Sequence, residues 1–242
     1  NIDGAVTADD GVLDLKAGDR LRAIYVNSQG DWGDEERVST SAYYATTVLS
    51  GRTLIADTVW TAENSPYLIM GDITVENGKS LTLMPGTEVL FLAGSDDTNS
   101  GEEAYKSELI VNGPLNLSGR QGEPVILRSS QEEGESGDWG GIALKGAGRL
   151  SMTHTQMAHS SYGISLDVNS YLTHSVDNST ISQSSMGISA ECYYCELTVS
   201  DSSFKNITNY VMYLDSFSYG KVTLANNTFA SVGSLHVRYA GY

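Results

Sequence analysis

The C-terminal half of the chain repeats itself at a spacing of about two dozen residues. Aligned so that Met157, Ile181, Phe204 and Phe229 coincide, it steps by 24, 23 and 25 residues. Seven residues before these anchors stand Leu150, His174, Leu197 and Val222. Five before stand Met152, Val176, Val199 and Leu224, and three before stand His154, Asn178, Asp201 and Asn226. Seven after the first three anchors stand Ile164, Ile188 and Val211; the fourth block, one residue shorter, offers Leu235 and Val237. A unit this short cannot bury an apolar face alone, so the period implies a supersecondary element stacked on its own copies.

The repeating element is a strand. Leu150-x-Met152, Leu197-x-Val199, Val222-x-Leu224 and Ile164-x-Leu166 alternate by two, which places their side chains on one face of an extended chain. No block carries an apolar i, i+3, i+4, i+7 run long enough for a helix, and Ser, Thr, Asn and Gly fill the gaps as turns require. Two or three short strands per coil, stacked in register, make an all-β parallel β-helix.

The upstream half follows the same logic. Ile73 to Phe91 and Glu108 to Leu117 are alternating stretches broken by Asn77-Gly78, Pro85-Gly86 and Asn112-Gly113; Glu123 to Leu127 and Gly137 to Leu144 continue the pattern. The segments Val59 to Tyr67, Gly71 to Thr87, Leu109 to Leu115, Glu123 to Leu127 and Asp138 to Ile142 resemble the opening coils of right-handed parallel β-helix domains of the pectate-lyase-like superfamily, found in bacterial secreted and surface proteins. The resemblance covers roughly residues 52 to 242. It specifies the fold and is nearly silent on function.

Two regions follow from this reading: a β-helix over residues 51–242 and a distinct segment over 1–50. In the latter, Gly11 to Val26 and Val38 to Val48 read as strands around the loop Asn27 to Arg37. This pattern resembles the closing hairpin of an immunoglobulin-like module, but it is too short for a whole sandwich. It is either the tail of such a module or a cap on the first coils. A β-helix needs covered ends, and Tyr242 shows no polar cap, so further polypeptide is expected beyond it.

Charge is lopsided. Residues 1–138 hold 24 Asp/Glu against 9 Lys/Arg, whereas residues 139–242 hold 6 against 5, so the net charge of −16 is almost wholly N-terminal. A surface so acidic excludes nucleic acid and anionic membranes, which demand basic patches, and no apolar run approaches membrane-spanning length. Three loops are dense in carboxylates: Asp31 to Glu36, Asp96 to Glu103 and Glu132 to Asp138. Calcium takes six to eight oxygen ligands, so Asp96, Asp97, Glu102 and Glu103 are candidates for a structural calcium ion; the alternative is a solvated acidic loop. None of the three has EF-hand spacing.

Cys192 and Cys195 are the only cysteines. No helix follows to depress a thiol pKa, and no second ligand pair exists for zinc, which leaves a short-loop disulfide tying an exposed bulge and an oxidising compartment. No catalytic constellation is recognised. Glycoside hydrolysis needs two carboxylates facing one site. The acids of the repeat region, Asp167, Asp177, Glu191, Glu196, Asp201 and Asp215, are read as lying in different columns. His174 falls in a Leu/Val column and reads as a satisfied core histidine, whereas His159 shares a polar column with Gln183, Asn206 and Ser231 that can face solvent. Nine of the 14 tyrosines follow residue 160. Tyrosine suits both sugar rings and protein partners, which makes Tyr193, Tyr194, Tyr219 and His159 the ligand candidates. The function expected is that of a non-catalytic, secreted or cell-surface structural or adhesive β-helix that binds a glycan or a protein. The alternatives are a polysaccharide lyase or glycoside hydrolase, and an accessory domain of a large secreted enzyme.

Overall fold

The computed structural model describes residues 47–168, 171–192, 194–215 and 219–238. The immunoglobulin-like tail or cap read over residues 1–50 lies, up to residue 46, outside them. Twenty strands, β1 to β20 in chain order, wind into about eight coils, and every ladder between them is parallel. The first coil supplies β1 (Thr47–Leu49) and β2 (Arg52–Leu54). The second has β3 (Thr58–Trp60), β4 (Tyr67–Ile69) and β5 (Ile73–Val75); the third has β6 (Leu81–Leu83), β7 (Glu88–Phe91) and β8 (Glu108–Val111). The fourth has β9 (Pro114–Ser118), β10 (Val125–Ser129) and β11 (Gly141–Lys145); the fifth has β12 (Arg149–Thr153), β13 (Thr155–Ala158) and β14 (Ile164–Val168). In the last three coils the second and third strands fuse into one bent strand: β15 (Thr173–Asp177) with β16 (Thr180–Cys192), β17 (Glu196–Ser200) with β18 (Ser203–Asp215), and β19 (Lys221–Ala225) with β20 (Thr228–Arg238). First-position strands form one seven-stranded sheet, and the second and third positions form another of thirteen.

The repeat register is that of the sequence. Met157, Ile181, Phe204 and Phe229 pair in succession, as do His174, Leu197 and Val222. Inward positions stack into one continuous core in which Leu150, Met152, Met157, Ile164 and Phe204 are buried. Phe229 aligns with Phe204 at a centroid separation of 5.4 Å but is 44% exposed, because no described coil stacks beyond it. One column departs from expectation. Met212, not Val211, stacks on Ile188, because β18 carries an extra residue between Ile207 and Tyr210. Val211 is itself buried, so its apolar character gave the wrong register.

Two turn columns explain why the chain can bend so tightly. His154, Asn178, Asp201 and Asn226 all have left-handed backbone, with φ of 43–55°; His159, Gln183, Asn206 and Ser231 share it, with φ of 47–68°. One residue in this conformation reverses the pleat between two strands, and Asn, Asp and His tolerate it best among residues with a Cβ. Beneath the first column, backbone N–H groups of Thr155, Ser179 and Ser202 donate to Ser179 Oγ, Ser202 Oγ and Asn227 Oδ1 at 3.0–3.1 Å, so polar groups at the bend are satisfied from coil to coil.

Candidate functional site

Three strips run side by side on the outer face of the third-position strands in coils five to eight. Alternation along β14 sends Ile164, Leu166 and Val168 inward and leaves Ser165 and Asp167 outward. Pairing repeats this in the next coils, so Ser165, Ser189, Tyr213 and His236 form one outward column, and Asp167, Glu191 and Asp215 form the next, which the register continues with Lys145 in the coil before and Arg238 in the coil after. The acids therefore share a column, contrary to the sequence reading, which placed them apart. The signal was present, since they recur at steps of 24 residues. Beyond this column, at the corner leading to the next coil, stand Tyr171, Tyr194 and Tyr219. Tyr171 and Tyr194 lie 4.6 Å apart between centroids with planes inclined by 31°, and Tyr194 and Tyr219 lie 5.4 Å apart and inclined by 14°. Tyr171 is 83% exposed and Tyr219 67%.

The structure thus brings together two of the tyrosines that sequence singled out and adds Tyr171, which precedes Tyr194 by 23 residues, one repeat. Tyr193 lies outside the described residues. His159 belongs elsewhere: it sits at the bend between the second and third strands and is 7% exposed, with its ring against Gly134 and its Nδ1 without a partner. Burial lowers its pKa, opposed by the charge of Asp138. The expected solvent-facing column is closed here by the loop between β10 and β11.

Cys192 and Cys195 are joined, as expected. They do not tie an exposed bulge, however; both sulfurs are buried in the core, where Cys192 stacks on Val168. The disulfide clips the corner that carries Tyr194.

The opposite wall of the face is an insertion between β7 and β8, held down by a buried acidic network that sequence did not reveal. Asp72 and Glu108 are 2% and 0% exposed. The Glu108 N–H donates to Asp72 Oδ1 at 2.9 Å, and the hydroxyls of Ser100 and Thr98 donate to Asp72 Oδ2 at 2.6 and 3.1 Å. Glu108 accepts the N–H groups of Glu102 and Glu103 at 2.8 and 3.0 Å and the Tyr162 hydroxyl at 2.6 Å. Burial raises both carboxyl pKa values, while these donors pull the other way. Burial and the Glu108 charge together push the Tyr162 phenol far above its ordinary range.

The four calcium candidates all lie on this insertion, each with another engagement. Asp96 accepts the N–H groups of Thr98 and Ser100, Asp97 accepts the N–H of Gly51 at 2.8 Å, Glu102 pairs with Lys145 at 3.0 Å and Glu103 with Lys106 at 3.5 Å. Among the described residues no three carboxylate, His or Cys side chains converge in a metal-binding arrangement. Between insertion and face lies an open groove whose two parts, about 520 and 270 Å³, meet at Tyr162 and Met186. Lys106 Nζ donates to Ser161 Oγ at its edge, and Asp167 and Glu191 line its floor. No helix among the described residues is long and apolar enough to cross a membrane.

Residues 53–170 match the model of a family described as a pectate-lyase-like β-helix domain, a little under half of the chain. The match ends just before the tyrosine row begins. No curated protein matches the chain.

Proposed function

We propose that this chain is a non-catalytic structural or adhesive β-helix of a secreted or bacterial cell-surface protein, and that its recognition surface is the outer face of coils five to eight. The observation that carries the reading is the row Tyr171, Tyr194 and Tyr219. Three large rings stand in register at one corner of successive coils, with Tyr171 and Tyr219 largely exposed to solvent. Aromatic side chains with a polar tip are enriched where proteins hold partners, and a rigid stack fixes their spacing before a ligand arrives. The disulfide beneath them supports an oxidising, extracellular setting. A structural calcium ion on the 96–103 insertion belongs to the same proposal, supported by the density of carboxylates on one loop; a calcium-dependent rise in Tm tests it.

The competing reading, a polysaccharide lyase or glycoside hydrolase, gains from one observation: Asp167 and Glu191 stand on adjacent coils at the floor of a groove. Paired carboxylates facing one site are what glycoside cleavage requires. The deciding experiment is an assay for unsaturated products and new reducing ends on pectate, alginate and neutral glycans, with and without calcium. No turnover, together with retention on one of these polymers or on a cell surface that is lost in a Y171A/Y194A/Y219A variant, is the expected result. Cleavage abolished by Asp167→Asn or Glu191→Gln would replace the adhesive reading with an enzymatic one.

A further inference from the structure

We propose that Asn77 is a site of spontaneous covalent modification: its side-chain amide cyclises onto the backbone nitrogen of Gly78 and reopens as an aspartyl or isoaspartyl residue. The chemistry needs only the chain and water. The Gly78 nitrogen gives up its proton and bonds to Asn77 Cγ; the Cγ–Nδ2 bond breaks, and the departing nitrogen takes up a proton and leaves as ammonia. Water then adds to one of the two carbonyl carbons of the cyclic imide and breaks that carbon's bond to nitrogen. Opening at Cγ gives aspartate. Opening at the main-chain carbonyl gives isoaspartate, in which the backbone runs through the side chain. Nothing is oxidised or reduced. This inference is independent of the adhesive reading above.

The sequence holds two Asn-Gly pairs, Asn77-Gly78 and Asn112-Gly113, and the fold treats them differently. Both stand at the corner between a third-position strand and the first strand of the next coil. Between β5 and β6 that corner spans residues 76–80; between β8 and β9 it spans only 112 and 113. The longer corner closes as a turn. Lys79 N–H donates to the Glu76 carbonyl at 3.0 Å, and Gly78 has φ of 76°, as the third residue of a type II turn requires. Asn77 and Gly78 form its exposed tip. Among the described residues neither the Asn77 side chain nor the Gly78 N–H has a hydrogen-bond partner. Just past the tip, Ser80 N–H donates to Asp57 Oδ1 at 2.8 Å and anchors the corner. Electrophile and nucleophile are thus adjacent, free and in water, and glycine sets no side chain in the way of ring closure.

Asn112 has the same following residue and none of this freedom. Its N–H and its Nδ2 both donate to the Val75 carbonyl, at 3.0 and 3.2 Å. Gly113 is buried, and a Cβ on it would stand 2.0 Å from the Lys79 carbonyl oxygen, so its backbone lies against the turn of the coil before. Cyclisation there must first open the packed corner. Local opening that costs ~1.4 kcal/mol slows a reaction ~10-fold, and buried backbone contacts cost at least that much to open. The products also suit one corner only. Isoaspartate lengthens the backbone by one atom, which the longer corner absorbs at its tip and the short corner, strung between two paired strands, does not. Either product adds a negative charge between Glu76 and Lys79.

The test incubates the whole folded chain, the same chain unfolded in guanidinium chloride, and Asn77→Gln, whose longer side chain would have to close a larger ring. Each is held at mildly acidic and at mildly alkaline pH, and both Asn-Gly sites are followed by peptide mapping, with mass spectrometry for loss of the amide and an isoaspartate assay. In the folded chain the Asn77 peptide is expected to convert to a mixture of aspartate and isoaspartate, faster at the higher pH because the attacking nitrogen must lose its proton. Asn112 is expected to convert at least ~10-fold more slowly. In guanidinium chloride the two sites should react at comparable rates, and Asn77→Gln should form no isoaspartate at that position. No conversion at Asn77 in the folded chain, equal conversion at both sites, or conversion that slows as pH rises overturns the proposal. If Asn112 stays slow in the unfolded chain, local sequence and not the fold sets the contrast, which overturns it too.

Discussion

Coils two to four and coils six to eight follow one three-strand plan but close the bend between second and third strands differently. In the later coils a single left-handed residue, Gln183, Asn206 or Ser231, makes the bend, and the two strands run on as one. In coils three and four the same bend opens into the 92–107 and 130–140 insertions, which fold over the solenoid wall. The consequence is a difference in what lies buried. Under the insertions Asp72 and Glu108 are buried as carboxyls, each with several donors, and Phe91 stacks on Trp139 at 3.8 Å. In the tight coils the buried polar groups are mostly hydroxyls in ladders, and no insertion among the described residues folds over the bend. The acidic half thus carries the insertions, and the near-neutral half carries the tight coils. The same plan serves both because coil pairing does not depend on corner length.

The sharpest way to break this comparison is to remove a ring from the tight coils. Phe204 is fully buried, so Phe204→Ala should cost ~3–5 kcal/mol of unfolding free energy, measured by urea denaturation. Phe229→Ala, in the same column but 44% exposed, should cost far less. Equal costs would mean that the final described coil is covered in solution, and that the contrast between interior and end coils is wrong.

Acid should distinguish the two halves next. His174 is the exception in its Leu/Val column: Leu150 N–H donates to its Nδ1 at 3.3 Å, but its Nε2 is buried without a partner. It is therefore only half satisfied, and burial pulls its pKa from the ordinary 6.5 down to about 4. The unfolded chain takes up a proton at His174 before the folded one does. The stabilisation is complete above about pH 6.5 and lost between there and about pH 4, a loss of ~3 kcal/mol. The raised carboxyl pKa values of Asp72 and Glu108 act oppositely, favouring the fold as pH falls. Replacing His174 by Leu, as in coils five and seven, should flatten the acid limb of a stability-against-pH curve. An unchanged limb would assign it to another group.

How much was legible follows from which interactions are local to the repeat. Columns of Met157 and Leu150 type were readable because core alternation recurs every coil. The carboxylate column obeyed the same spacing yet went unrecognised, since outward residues carry no packing signal that asks to be aligned. Tyr171 was overlooked for the same reason. The Met212 register was hidden by a bulge between two apolar neighbours. Asp72 and Glu108 had no sequence signature at all: their partners Ser100, Thr98 and Tyr162 come from an insertion and a coil far along the chain, and only the closed solenoid brings them together. The positions of His159 and of the cysteine sulfurs depended likewise on what covers a corner.

A smaller effect should isolate the insertion. In Glu108→Gln one of two acceptor oxygens becomes an NH2 group that faces a backbone donor, Glu102 or Glu103. The expected cost is ~1–3 kcal/mol, relieved in part because a neutral group is easier to bury. It should appear as faster hydrogen exchange or proteolysis within residues 96–105, while the tight coils keep wild-type protection. Loosening of both regions together would show that the insertion braces the whole solenoid rather than capping one corner.

The disulfide is expected to matter least to global stability. It closes a loop of only four residues, for which loss of chain entropy in the unfolded state gives ~2 kcal/mol at most. Cys195 stands one residue past Tyr194, and the Cys195 N–H lies 3.0 Å from Cys192 Sγ, so the clip sets the path of the backbone that carries the middle ring of the row. Replacing both cysteines by Ala should therefore lower Tm slightly but change the near-ultraviolet circular dichroism of the stacked tyrosines markedly, because Tyr194 contacts both Tyr171 and Tyr219. Thiol titration of the denatured, unreduced wild type should find no free thiol. If the double variant keeps the wild-type tyrosine signal, the pairing of β16 with β18 alone orders the row, and the clip serves the core instead of the surface.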